Sequence, residues 1–341
     1  MKVAFDISPI QSAHQVRGIG SYTKNLYDQF QKDGNNDISF EFIQDPSENT
    51  DAQIIHHPYF DLFFHTLRAK NQPKTIVTIH DVIPLVFPEH FPAGIKGYIN
   101  LLFQKNALKK CNAIICDSKT SKNDIIQKLS IDSRKVHVVY LAPAPHFKKI
   151  TDDLFEIAKK YKLPKDFILY VGDVNWNKNL NNLVEAAYIS KKNLVMVGKA
   201  LTQENLPETQ QVIQKIKNLK LENTITRLGY VPDQDLVNLY NLAKATMLPS
   251  FYEGFGLPVL ESMACGTPVI CSNVSSLSEI SGKDAIFCDP SSPHDIAKQI
   301  KKVFTLSQKE RQTLSQKLIK HTEGFTWEKV AKQTIDVYKA L

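Results

Sequence analysis

The stretch "PSFYEGFGLPVLESMACGTPVI", residues Pro249 to Ile270, decides how the rest of the chain is read. The run before it, "ATMLPS", reads as a strand, and "PVLESMAC" reads as a short helix. Pro258 suits a first helical turn, where a missing N–H costs nothing. Gly266 suits the helix stop, with Pro268 just beyond. A strand, a Gly-Phe-Gly loop and a helix start together leave N–H groups around Gly256 and Leu257 free to meet an anion. Two glutamates, Glu253 and Glu261, flank that helix start with seven residues between them. A carboxylate directly beside a bound diphosphate would be repelled. The two acids make sense if each accepts hydrogen bonds from hydroxyl groups on either side of the phosphates.

Outward from this stretch the same grammar recurs. "KVAFDIS", "AQIIHH", "KTIVTIHD", "AIICDS" and "VHVVYL" are short apolar, β-branched runs in the first half. "FILYVGDV", "NLVMVG", "TITRLGYV", "ATMLPS", "TPVICSN" and "AIFCDP" populate the second. Near-continuous apolar strands that alternate with helical patterns predict parallel sheets covered on both faces. The fold class is α/β, with doubly wound open sheets. The chain has 341 residues, which suits two domains of roughly 150 residues each. The segment "APAPHFKKITDD" (142–153) reads as the linker. The expected division is 1–148, 149–323 and a terminal helix at 324–341, whose apolar residues Val330, Ile335, Val337, Tyr338 and Leu341 form one docking stripe.

The bulk properties exclude several classes. The net charge is +7, without a long block of like charge or a basic stripe carrying aromatics, so nucleic acid is not an expected partner. The five cysteines, Cys111, Cys116, Cys265, Cys271 and Cys288, form no C-x-x-C pair and read as core residues of a reducing compartment. "MKVAFDISPI" meets Asp6 and Pro9 too early for a secretion signal. No apolar run approaches the roughly 18 residues of a membrane span. The expected location is the cytoplasm. Peripheral contact with the inner face of an anionic membrane stays open through "FPAGIKGYINLLFQKNALKKC", which carries Lys96, Lys105, Lys109 and Lys110 with Ile99, Leu102 and Phe103. The competing reading of that helix is a packed scaffold element with a solvated lysine face.

In doubly wound sheets ligands bind beyond the carboxyl ends of the strands, so the residues just after each strand are the candidates. "QVRGIGSYTKNL" follows the first strand. Gly18 and Gly20 there allow backbone N–H groups to approach an anion, Arg17 adds a fork donor, and a helix is expected from about Ser21. A plain turn with Ser21 as helix cap is the competing reading. His80 ends "KTIVTI" and can face a hydroxyl or a sugar. The doublet His56-His57 reads as structural. Lys178 follows "FILYVGDV" at a helix start, where a lysine opposes the helix dipole unless an anion is present. No third ligand stands at metal-binding spacing. Phosphate-binding donors with hydroxyl-binding acids at either end describe a nucleotide sugar as ligand.

Taken together, "EGFGLPVLESMACGTPVI", "GIGSYT", "HD", "YVGD" with "KN", and "FTWEKVA" resemble, in order, the retaining family 4 glycosyltransferases of GT-B fold, two doubly wound Rossmann-like domains facing across a cleft. The resemblance runs over nearly the whole chain. It implies that Glu261 holds the ribose hydroxyls and Glu253 the transferred hexose. Gly254, Phe255, Gly256 and Leu257 would bind sugar and phosphate through their backbones, and Tyr230 and Val231 would border the base. Lys178 would neutralise the leaving diphosphate, Gly18 and Gly20 would close over the phosphates, and His80 would sit beside the reacting sugar. It implies transfer of a hexose, with mannose favoured, from a nucleotide diphosphate sugar to a glycan or lipid-linked acceptor in surface polysaccharide synthesis. The leaving phosphate would help deprotonate the acceptor, with no protein nucleophile, no metal and no cofactor, and with closure of the domains. One departure stands out. Where the family carries an arginine beside the phosphate-loop glycine or lysine, this chain has Asp173 and Asn177, so Arg17 or Lys199 would have to substitute. A sugar nucleotide epimerase or hydrolase and a non-catalytic donor-binding subunit are the alternative readings.

Overall fold

The computed structural model describes residues 1–11, 18–32, 37–45, 50–67, 73–152 and 154–341. Arg17 lies outside them. The chain divides into two compact units, one of Met1–Ala142 with Phe325–Leu341, the other of Pro143–Gly324. The first boundary falls between Ala142 and Pro143, one residue into the "APAPHF" segment, against the expected 148. The cause is packing: Phe147 is buried in the core of the second unit, edge-on to Tyr240 at 5.6 Å.

Among the described residues the first unit holds six strands, β1 (Lys2–Asp6), β2 (Ser39–Ile43), β3 (Ile54–His57), β4 (Lys74–Thr78), β5 (Ala113–Cys116) and β6 (Val136–Val138). They pair in parallel in the order β2-β1-β3-β4-β5-β6. β3, β4 and β5 are buried almost end to end, which is why they read as unbroken apolar runs. β2 escaped the sequence reading. It is an edge strand whose "SFEFI" is mostly half-exposed, anchored where Phe40 stacks on Phe30 at 4.3 Å.

The Gly18–Lys32 helix begins three residues before the expected Ser21. Tyr22, Leu26 and Phe30 are buried along one side of it, and that apolar stripe carries the helical pattern back to Gly18. Ser21 is therefore no cap; its carbonyl and hydroxyl accept from Asn25 Nδ2 at 2.8 and 3.3 Å. Gly20 is buried within the first turn and Gly18 is exposed at its start. The terminal Trp327–Lys339 helix, capped by the Thr326 hydroxyl, packs on the Gly18–Lys32 helix. Its Tyr338 Oη meets His56 Nδ1 at 2.6 Å, and His56 Nε2 meets Thr78 Oγ1 at 2.8 Å. Burial pushes the His56 imidazole down to about 3, so it is a neutral core residue.

The second unit has β7 (Phe167–Val171), β8 (Asn193–Val197), β9 (Ile225–Leu228), β10 (Ala245–Leu248), β11 (Val269–Ser272) and β12 (Ile286–Cys288). All pair in parallel, in the order β12-β11-β10-β7-β8-β9. Sequence neighbours run outward from β7 in one direction and from β10 in the other. The β7/β10 junction is therefore the topological switch point, outside whose carboxyl ends ligands of such sheets bind. All five cysteines are buried, and none forms a disulfide among the described residues. Burial pushes the thiols of Cys111, Cys265 and Cys271 up to about 12, so they are inert core residues.

Candidate active site

The loops after β7 and β10 meet at the switch point. Trp176 stacks on Phe251 at 5.1 Å between ring centres. Asn177 Nδ2 donates to the Tyr252 carbonyl at 2.9 Å, and the Asn177 carbonyl accepts from Phe251 N–H at 2.8 Å. Asn179, in the left-handed region at φ 58°, donates from Nδ2 to the carbonyls of Pro249 and Pro290 at 2.8 and 2.7 Å. The residue at position 177 is thus a buried brace that ties one loop to the other. It is 3% exposed and has no room to act as a phosphate-facing cation. Asp173 is exposed, and its Oδ1 accepts the N–H of Val174 at 2.8 Å, which caps the loop locally.

This bracing brings Lys178 to Glu253. Lys178 Nζ lies 2.9 Å from Glu253 Oε1 and 2.7 Å from Oε2. Glu253 is 4% exposed; Ser250 Oγ donates to its Oε1 at 2.6 Å, and its N–H donates to Ser275 Oγ at 3.0 Å. Ser276 Oγ then latches the loop by donating to the carbonyls of Glu253 and Phe255, both at 2.9 Å. The expectation that Lys178 gains nothing at a helix start unless an anion is present meets a protein anion here: the carboxylate of Glu253, itself a candidate acid. Lys178 itself sits in a 3-10 turn (Trp176–Lys178) just before the Leu180–Ser190 helix.

The Leu257–Ala264 helix starts as the sequence implied. Pro258 is in its first turn, and the chain turns away after Cys265 through Gly266 at φ 69°. Gly256 caps the helix at φ 104°, and a Cβ there would meet Leu277 Cδ2 at 2.5 Å. Gly254, Phe255 and Gly256 are buried and Leu257 half-buried, so the helix mouth is lined by backbone. Glu261 stands one turn further in, half-buried, and accepts from Tyr240 Oη at 2.7 Å. Burial pushes its carboxyl up to about 7; the Tyr240 hydrogen bond works against that shift and the charge of Asp233 adds to it.

Tyr230, after β9, is 54% exposed and offers a ring. Val231 does not: it is 4% exposed, in the core cluster with Leu236 and Tyr240, so only its backbone remains for a ligand. Lys199 follows β8 and is exposed. Gly198 before it approaches so closely that a Cβ would meet the Gly172 carbonyl at 2.0 Å, which draws the β8 and β7 loops together. Among the described residues no group of three or more His, Cys, Asp or Glu side chains gathers as a metal site.

On the first unit, His80 Nδ1 pairs with Asp117 Oδ2 at 2.7 Å, and the ring stands edge-on to Tyr22 at 4.9 Å. The His80 carbonyl accepts from Ser121 Oγ at 2.9 Å. Its Nε2 has no hydrogen-bond partner among the described residues. Burial by itself would lower the imidazole, but the charge and hydrogen bond of Asp117 outweigh it and hold His80 above its ordinary range. Asp117, Ser250, Ser275 and Tyr240 were not singled out from sequence. Asp117 ends the run "AIICDS" and the rule of strand ends could have found it; nothing in its local pattern marks Tyr240.

Two family models match the chain: glycosyl transferases group 1 over residues 153–321, and glycosyltransferase family 4 over residues 39–142. O-antigen chain mannosyltransferase B of Escherichia coli is 30% identical over 291 residues, covering 84% of this chain and 74% of that protein. Serotype-specific mannosyltransferase WbdA of Escherichia coli is 29% identical over 294 residues; the match covers 82% of this chain but 35% of that longer protein. Among solved structures, Anabaena HepE in complex with UDP-glucose aligns over 100% of both chains with a TM-score of 0.75 at 16% identity. WaaG, a glycosyltransferase involved in lipopolysaccharide biosynthesis, aligns over 98% of this chain and 99% of its own with a TM-score of 0.72 at 13% identity. The chain belongs to glycosyltransferase family 4 and is a glycosyltransferase of GT-B fold.

Proposed function

We propose that the chain transfers a hexose, mannose in the first instance, from a nucleotide diphosphate sugar to a glycan or lipid-linked acceptor in polysaccharide assembly, with retention at the anomeric carbon. The mannosyl preference rests on the names of the two relatives above. The buried cysteines, none of them in a disulfide among the described residues, suit a reducing compartment.

The observation that carries the reading is the Lys178–Glu253 pair at the switch point beside the Leu257–Ala264 helix start. A diphosphate offers the Lys178 ammonium a partner of higher charge than Glu253. As the lysine shifts to the phosphates, Glu253 keeps its Ser250 hydrogen bond and gains lone pairs for a sugar hydroxyl. The helix N-terminus and the backbone of Gly254 to Leu257 face the leaving group, with Lys199 as second cation in place of the family's arginine. Glu261 accepts from the ribose hydroxyls, and Tyr230 borders the base. On the first unit, His80 presents Nε2 to a hydroxyl, its tautomer set by Asp117, and the Gly18 helix start offers N–H groups to an anion. The departing phosphate takes the acceptor proton, so neither a protein nucleophile nor a metal is needed.

The test is incubation of the purified protein with GDP-mannose and with UDP-hexoses, with and without acceptor oligosaccharides, followed by separation of nucleotide and product. Transfer that appears only with acceptor supports the reading. Donor turnover at the same rate without acceptor would point to an epimerase or hydrolase, and tight binding without turnover to a donor-binding subunit.

A further inference from the structure

A helix that packs on one side keeps its apolar residues on that side. The Gly94–Lys110 helix of the first unit does not. Its inner positions Gly97, Leu101, Gln104 and Leu108 are buried, and the two leucines join the main core. On the opposite side, Ile95, Tyr98, Ile99, Leu102 and Phe103 are 83, 50, 49, 64 and 58% exposed. Their spacing makes one continuous stripe along the helix. The segment before it widens the stripe. Phe64 is 67% exposed, held in place where Asn100 Nδ2 donates to the Phe63 carbonyl at 2.8 Å and Gln104 Nε2 to the Asp61 carbonyl at 2.9 Å. The His65 ring packs on Phe103 at 5.5 Å. Six of the ten large hydrophobic residues exposed among the described residues lie in this one patch, which marks a surface built for contact.

The charge around the patch selects the occupant. The helix carries Lys96, Lys105, Lys109 and Lys110 and no acidic residue. At 100° per residue, Lys109 and Lys110 continue the exposed stripe at its C-terminal end and Lys96 borders it at the other. A second copy docked symmetrically on this stripe would gather the lysines of both helices in one interface, with no acidic residue on either helix to pair them. A bilayer with acidic headgroups receives both features, apolar side chains at the acyl boundary and ammonium groups at the phosphates. We propose that this face seats the chain on an anionic lipid surface. The proposal rests on the first unit alone and is independent of the donor and of the reaction.

The experiment is flotation of the full chain with phosphatidylcholine vesicles, with or without phosphatidylglycerol, at low and high salt. The expected result is capture by the phosphatidylglycerol vesicles, little capture by phosphatidylcholine alone, and release as salt rises. The variants Ile99→Ser/Leu102→Ser/Phe103→Ser and Lys109→Gln/Lys110→Gln should each lose roughly tenfold or more of that partitioning. All five residues are exposed, with Phe103 against the His65 ring, so unchanged thermal melting verifies that the variants fold. Absence of capture at low salt, or equal capture of parent and variants, overturns the proposal. So does a parent dimer, seen by light scattering, that the apolar variant splits without any vesicle binding.

Discussion

Lys178 Nζ contacts both carboxylate oxygens of Glu253, at 2.9 and 2.7 Å, across two loops separated by 75 positions in the chain. The carboxylate is the more deeply buried partner, with its side chain 6% exposed against 20% for the lysine. Neither group can lose the other cheaply, because breaking a buried pair leaves an uncompensated charge. Lys178→Ala should therefore destabilise the fold by about 3 kcal/mol. Adding Glu253→Gln to it should restore part of that loss, a coupling that thermal melting of both single variants and the double variant will measure. Transfer activity behaves differently. Lys178→Ala and Glu253→Ala should each lose at least about tenfold, and the double variant should not recover. Wild-type rates in both single variants would sink the catalytic assignment.

Glu261 predicts a pH effect with two opposite faces. Its carboxyl is raised from 4.5 to about 7 in the folded chain, chiefly by burial. A raised acid favours folding while it is protonated; that contribution is complete below about pH 4.5 and is lost as pH climbs through about 7. Glu261→Gln should thus be more stable than the parent at about pH 8, by about 2 kcal/mol after allowing for partial exposure, with the gap closing near about pH 4.5. Donor affinity should move the other way. Ribose hydroxyls need an ionised acceptor, so calorimetric affinity for a nucleoside diphosphate should fall as pH drops below about 7, and the glutamine variant should bind weakly at every pH. Affinity that is flat across this window would remove Glu261 from the donor site.

The sequence exposed the parts of the fold that obey local rules. Eleven of the twelve strands among the described residues stood out as short, largely apolar or β-branched runs between helical patterns, and Pro258 and Gly266 marked the ends of one short helix. β2 was invisible because Ser39 and Glu41 interrupt its apolar residues and all but Ile43 are half-buried or exposed. The Gly18 helix start was placed late because glycine pairs suggest a turn, whereas packing of Tyr22, Leu26 and Phe30 extended the helix through them. At the candidate site, strand-end position made Lys178, Glu253 and His80 legible one by one. Their partners were not. Which side chain Lys178 meets depends on the β7 and β10 loops becoming neighbours at the switch point, and the role of Asn177 as a brace depends on the Tyr252 carbonyl facing it. Such contacts belong to tertiary structure, and spacing along the chain carries no trace of them.

Gly256 is the residue on which the helix mouth turns. Its φ of 104° is closed to residues with a side chain, and a Cβ would press within 2.5 Å of Leu277 Cδ2. Gly256→Ala should cost about 1–3 kcal/mol in denaturant unfolding and displace the N–H groups at the mouth of the Leu257–Ala264 helix, which the proposed reading assigns to the leaving group. Donor affinity should drop further than the stability loss alone explains, which a thermal shift with saturating nucleoside diphosphate will separate. Full retention of ligand-induced stabilisation would show that the mouth of this helix does not hold phosphate.

His80 and Asp117 test the first unit separately. Burial pulls the imidazole down and Asp117, 2.7 Å from Nδ1, pulls it up, with the net above the ordinary range. Asp117→Asn leaves burial as the main influence, so the His80 resonance in an NMR titration should shift its midpoint downward past the ordinary histidine value. The sign for stability follows from the raised value. The pair stabilises while His80 is protonated, fully below about pH 6.5, and that help fades as pH rises through the folded value. The stability gap between parent and Asp117→Asn should therefore be wider at about pH 6 than at about pH 9. A purely packing role for Asp117 would leave the gap constant with pH. Catalytically, Asn at 117 can still meet Nδ1 but no longer offsets a charge on the ring. The variant should keep its affinity for nucleoside diphosphate, lose turnover, and shift the pH–rate profile in the same direction as the resonance. An unshifted profile with wild-type turnover would place the pair outside the reaction and leave it as a buried tie between the ends of β4 and β5.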